Sequence, residues 1–171
     1  MNITGRAGTS LILRVGGYQF PAGTGELDDQ WLMITGRISL SGRSWAFTDP
    51  CLMLVEAREL ARWLHAAAAG RVLPQQLPAG PDAEWAPELS FIEPVLAFTL
   101  GSGSSGLVLR VNVSLEAAPP WARNDERAPW GHPVDLWLTT AELEQAANEW
   151  SQELRDLPLR SPARENRPER P

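Results

Sequence analysis

Lysine is absent: all 15 basic residues are Arg, set against 21 acids, for a formal net charge of −6. The chain therefore has no amine for a phosphate-binding loop, and its glycine run, residues 101–106, fails that pattern. Cysteine occurs once, at Cys51, which excludes an intramolecular disulfide framework and fits a reducing compartment. Histidine occurs only at positions 65 and 132, so no metal site can be built on several imidazoles, and no Cys pair offers zinc spacing. No apolar run approaches the roughly 20 residues that a membrane span needs. The first 17 residues also lack the apolar core and small-residue cleavage site of a secretion signal, so a cytoplasmic location is expected.

Charge is unevenly placed. The last 11 residues hold three Arg and two Glu, so residues 1–160, with 12 Arg against 19 acids, carry −7. An acidic body disfavours nucleic acid, whose phosphates must be neutralised by cations. It favours a basic protein partner, drawn in by electrostatic steering.

What is present reads as one α+β domain over residues 1–160, followed by an Arg/Pro-rich tail at 161–171 that is expected to be disordered. The length of 171 residues suits one core, and 43% hydrophobic residues are enough to fill it. Leu11, Leu13 and Val15 alternate as a strand does, and Gly16-Gly17 then reads as a tight turn. Leu32, Ile34, Ile38 and Leu40 repeat at period two, and Ser41-Gly42 closes a hairpin onto residues 43–48. The longest alternation, residues 107–116, places Leu107, Leu109, Val111, Val113 and Leu115 on one face. Its expected partner is residues 95–100, and residues 133–138 form a last strand. Residues 53–69 predict a helix with Leu60, Trp63, Leu64 and Ala67 as its apolar stripe and Gly70 as its stop. A second helix starts at Thr139 or Thr140, where Thr139 and Glu142 can form a capping box, and Leu143, Ala146, Ala147, Trp150 and Leu154 make its apolar face before Pro158 ends it. The expected architecture is antiparallel sheet packed with two helices.

The search for chemistry yields little. Cys51 sits in Asp49-Pro50-Cys51, just ahead of the first predicted helix, where a thiolate could be activated, although a small buried residue is the plainer reading. Asp49 is expected to receive backbone N–H groups there. Glu88, Glu93 and Glu116 could converge as catalytic carboxylates, yet no acid–base constellation accompanies them. No catalytic, cofactor or metal residue is assigned. Eight Trp stand beside one Tyr. Trp85, Trp121 and Trp130 fall in Pro-rich loops and are the expected anchors of a protein interface. Glu84, Glu88, Asp125 and Glu126, in or beside those loops, are its expected acidic rim. A small carboxylate enzyme and a carbohydrate-binding module remain as alternatives.

Several stretches in order resemble the WapI-type family of bacterial immunity proteins. They are residues 18–21, 28–32 and 45–52, then Glu56, Leu60, Trp63 and Leu64, residues 88–94 with Leu96 and Phe98, residues 115–116 and 119–121, and a closing helix with Leu157, Pro158 and Arg160. The chain departs from the pattern at Leu54, where a polar helix cap is expected, and in a long Pro-rich loop at residues 71–87. The resemblance implies a cytoplasmic antidote, encoded beside a contact-delivered toxin. It would bind the toxin's C-terminal domain, often a nuclease, and neutralise it by occlusion, without a cofactor.

Overall fold

The computed structural model describes residues 1–24, 27–76, 86–103, 106–122 and 131–160. Two sheets and two helices share one hydrophobic core. The first sheet has strands β1 (Asn2–Thr4), β2 (Ser10–Tyr18), β3 (Trp31–Leu40) and β4 (Arg43–Met53), antiparallel and in chain order. Helix α1 (Leu54–Ala68) follows directly. The second sheet contains β5 (Gln75–Gln76), β7 (Leu96–Gly103), β8 (Gly106–Val113) and β9 (His132–Leu138) in that order, and β6 (Leu89–Ser90) pairs with β7. Helix α2 (Thr140–Arg155) closes the domain, so the α+β arrangement read from the sequence holds.

Local chemistry explains most boundaries. Ser41 and Gly42 both have positive φ, 51° and 77°, the mirror-image turn whose twist suits a two-residue hairpin. Gly70, at φ 69°, ends α1 in the left-handed conformation. At the start of α2, the Thr139 side chain accepts from Glu142 N–H while the Glu142 carboxylate accepts from Thr139 N–H, the reciprocal cap expected from the spacing.

Packing follows the periodicities. Leu11 and Leu13 of β2, Leu32, Ile34 and Ile38 of β3, and Trp45 and Phe47 of β4 face inward. Gly36 lies on that same face, and a Cβ there would come within 2.0 Å of the Phe47 ring, so the ring occupies the space a side chain would need. Leu60, Leu64 and Ala67 of α1 meet Leu143, Ala146, Ala147 and Trp150 of α2 in the core. Trp150 Nε1 donates to Ala57 O at 2.9 Å, and His65 shares a 3.0 Å hydrogen bond with Ser151, so both rings tie the helices together. Truncating one of the buried leucines would cost about 2–5 kcal/mol.

Four local expectations are corrected. Gly16-Gly17 is not a turn: β2 runs on to Tyr18, the pairing slips between Val15 and Gly17, and the glycines form a bulge. The long strand stops at Val113, and Leu115 turns away at φ 48° into a short 3-10 turn, Leu115–Ala117, that leaves it 53% exposed. Cys51 lies inside β4, fully buried, not at a helix start. His132 opens β9, one position ahead of the strand expected from residue 133, with its ring 6.5 Å from that of Trp45.

Candidate protein-binding face

Three chain segments meet beside β4. Ser114 N–H donates to Val95 O at 3.0 Å, and its hydroxyl donates to Pro94 O, which fixes the turn before β7 against the end of β8. Trp45 Nε1 donates to Ala117 O at 2.9 Å, which holds the 3-10 turn onto β4. Glu56, buried in the first turn of α1, binds on two sides: one carboxylate oxygen accepts from Met53 N–H and the other from Ile92 N–H, each at 2.8 Å. Glu56 thus supplies the polar group at the helix cap, which is Met53; Leu54, where a polar cap is expected from the sequence, is the first helical residue instead. Glu56 also anchors the Ile92–Glu93 turn from behind.

The segments held along β4 in this way leave both apolar and acidic side chains at the surface. Ile92 is 70% exposed, Leu115 53% and Trp121 45%, three of the seven large apolar side chains left in solvent among the described residues. Trp121 stands edge-on to the buried Trp45 at 5.2 Å, and the Arg43 guanidinium lies 5.0 Å from its ring centre. The Trp121 ring is therefore held in a defined orientation, as an interface anchor has to be. Leu115 holds a left-handed backbone conformation that costs a branched side chain of the order of 1 kcal/mol or more, and such strain clusters at binding sites.

Asp49, Glu93 and Glu116 supply the charge. Burial, and then the Glu116 and Glu93 carboxylates, push the Asp49 carboxyl above its usual range. Asp49 accepts no hydrogen bond among the described residues, so the turn-capping role expected for it is not found. The same surroundings silence Cys51: burial, and next the Asp49 charge, push its thiol up to about 12, so no thiolate nucleophile forms near neutral pH. Among the described residues no three His, Cys, Asp or Glu side chains stand close enough to hold a metal. The acids of this face repel one another without forming a cage.

Of the residues expected to contact a partner, Trp121 lies on this face. Glu88 lies elsewhere and is engaged within the fold, accepting from Gln75 Nε2 at 2.9 Å and from Leu100 N–H at 3.2 Å. Glu93 and Glu116 are brought together and Glu88 is not. Glu84, Trp85, Asp125, Glu126 and Trp130 lie outside the described residues. Sequence reading missed Asp49 as a surface charge, Ile92 and Leu115 as exposed apolar groups, and Glu56 as the anchor behind them. Only Glu56 left a local signal, its position three residues after Met53.

The family model for WapI-like immunity proteins matches residues 2–158, nearly the whole described domain. The chain belongs to the WapI-like family of immunity proteins. A comparison with curated proteins returns no match. The match to the family runs through every element of this immunity protein, including the three segments that build the apolar and acidic face. No helix among its described residues is long and apolar enough to cross a membrane.

Proposed function

We propose that the protein is a cytoplasmic antidote that binds a toxin domain and neutralises it by occlusion, without catalysis of its own. Membership of the immunity family carries this reading, and the face around Trp121 gives it a surface. Ile92, Leu115 and Trp121 are the groups whose burial holds the complex together. Asp49, Glu93 and Glu116 attract a basic partner and hasten encounter. Burial is the larger cause of the raised Asp49 pKa, and a cation from the toxin seated beside it offsets the smaller part, the repulsion by Glu116 and Glu93. A nuclease, with a basic surface for nucleic acid, is the toxin class that fits these charges. Trp85 and Trp130, with Glu84, Asp125 and Glu126, are further contacts proposed from the sequence.

Co-expression with the toxin domain encoded beside this gene, followed by binding kinetics at two salt concentrations, tests the reading. Protection of the cell and an association rate that falls with salt are expected. Trp121→Ala should cost about 2 kcal/mol or more and act mainly on dissociation. Neither protection nor complex formation with that domain would sink the proposal. Full affinity after loss of Trp121 would move the interface to another face.

A further inference from the structure

A second surface carries the opposite charge. A half-open groove of about 730 Å3 lies between α1, the end of α2 and the segment after it. Arg58, Arg62 and Arg155 stand along it, and among the described residues no Asp or Glu lines it, in a chain of net charge −6. Arg160 also borders the groove but is committed to the fold: it stacks on Tyr18 at 3.6 Å and donates to the carbonyls of Asp29 and Phe20. Among the described residues Arg155 donates only to Gln152, a neighbour on its own helix. Arg58 and Arg62 are exposed and make no hydrogen bond or ion pair among the described residues. Four residues apart on α1, they stand on one helix face, an arrangement that like charges disfavour unless an anion joins them. Leu54, Leu154 and Leu157 lie half-buried in the groove, and Leu159 at its lip is 98% exposed.

Both the charge and the shape restrict the occupant. Guanidinium forks pair with carboxylates through two parallel hydrogen bonds, and three of them spaced along a groove suit several carboxylates better than one. Small ligands bury roughly 70–90% of their surface in concave sites, which a half-open groove does not provide. The chain's own residues 161–171 carry three Arg and two Glu and would add positive charge to a positive groove. We infer that this groove receives an acidic, leucine-bearing segment of a protein partner, its carboxylates on Arg58, Arg62 and Arg155 and its apolar side chains on Leu54, Leu154 and Leu157. The partner's being a protein rests on the immunity reading, but the groove shares no residue with the face around Trp121.

The test uses the full chain and a fluorescein-labelled peptide of repeated Glu-Glu-Leu, followed by anisotropy at low and physiological salt. Saturable binding is expected, weakening with salt and falling about tenfold or more in R58Q/R62Q. Thermal melting of R58Q/R62Q should be no lower than that of the wild type, because neither side chain is bonded among the described residues and their mutual repulsion is removed. Arg155→Gln, on the other helix, provides an independent loss of affinity. Absence of saturable binding, or equal binding by folded R58Q/R62Q, overturns the inference. So does displacement of the peptide by inorganic pyrophosphate at lower concentration, which marks a small-anion site, or stronger competition by a synthetic peptide of residues 161–171. Toxin protection by R58Q/R62Q is expected to persist. Absence of peptide binding by a wild type that still protects therefore refutes the groove alone, and absence of protection by a wild type that still binds the peptide refutes the immunity reading alone.

Discussion

Removal of the Glu56 carboxylate should loosen the protein at two places at once. The side chain is 7% exposed and accepts two backbone N–H groups at 2.8 Å, Met53 at the head of α1 and Ile92 in the turn 36 positions later. A hydrogen bond to a charged group contributes about 1.5–3 kcal/mol, and a backbone donor left unpaired away from water costs a comparable amount. Glu56→Ala removes both bonds, with some offset from no longer desolvating a carboxylate, so a loss of about 3–5 kcal/mol is expected. That is a large part of the roughly 5–15 kcal/mol that separates folded from unfolded domains. Glu56→Gln keeps one carbonyl acceptor and turns an amide NH2 toward the other donor, so about 2 kcal/mol should be lost. Urea denaturation followed by Trp fluorescence measures both, as a fall in midpoint at unchanged slope. Amide exchange at Ile92 should quicken in the Gln variant before the core is affected. An Ala variant within about 1 kcal/mol of wild type would refute the argument, because the two donors would then have another partner.

Three further outcomes are expected. Gly36→Ala should cost about 1–3 kcal/mol by urea denaturation, because the Phe47 ring sits 2.0 Å from the new Cβ and must move within a filled core; an unchanged midpoint would show that the ring moves aside at no cost. Asp49→Asn should raise the melting temperature near neutral pH and slow association with the toxin domain. The folded pKa of Asp49 is raised, so its destabilising effect exists above that pKa and fades as pH falls through it; the advantage of the Asn variant should shrink on acidification, and a constant advantage would refute the electrostatic cause. Glu153 behaves in the opposite way. Burial alone would raise its pKa, but hydrogen bonds from the Met1 ammonium, Arg14 and Val15 N–H outweigh burial and lower it. Its contribution is therefore present above the unfolded carboxylate pKa and lost as pH falls below it, so Glu153→Gln should flatten the acid limb of the stability curve; an acid limb identical to wild type would refute the assignment.

The sequence by itself determined the elements whose signals are local. Period-two runs marked β2, β3 and β8, and apolar stripes marked both helices, because burial repeats with the geometry of the backbone. Ser41-Gly42, Gly70 and the Thr139–Glu142 pair were legible because a turn, a stop and a cap are decided within four residues. Trp121 was legible as an exposed aromatic from its proline-rich surroundings. Only the tertiary structure decided that Gly16-Gly17 is a bulge, since a glycine pair permits either outcome and the pairing with β3 selects one. Nor could spacing reveal that Glu93 and Glu116 act on Asp49, that Trp121 stands against Trp45, or that Glu56 braces the turn at Ile92. Those groups come from segments tens of residues apart, and their proximity is set by strand register and by hydrogen bonds such as Ser114 to Val95, which no local pattern encodes. The Arg58 and Arg62 spacing on α1 was visible in the sequence, but the groove beside it exists only where α1 meets the end of α2 and the chain beyond, a contact between residues almost a hundred positions apart.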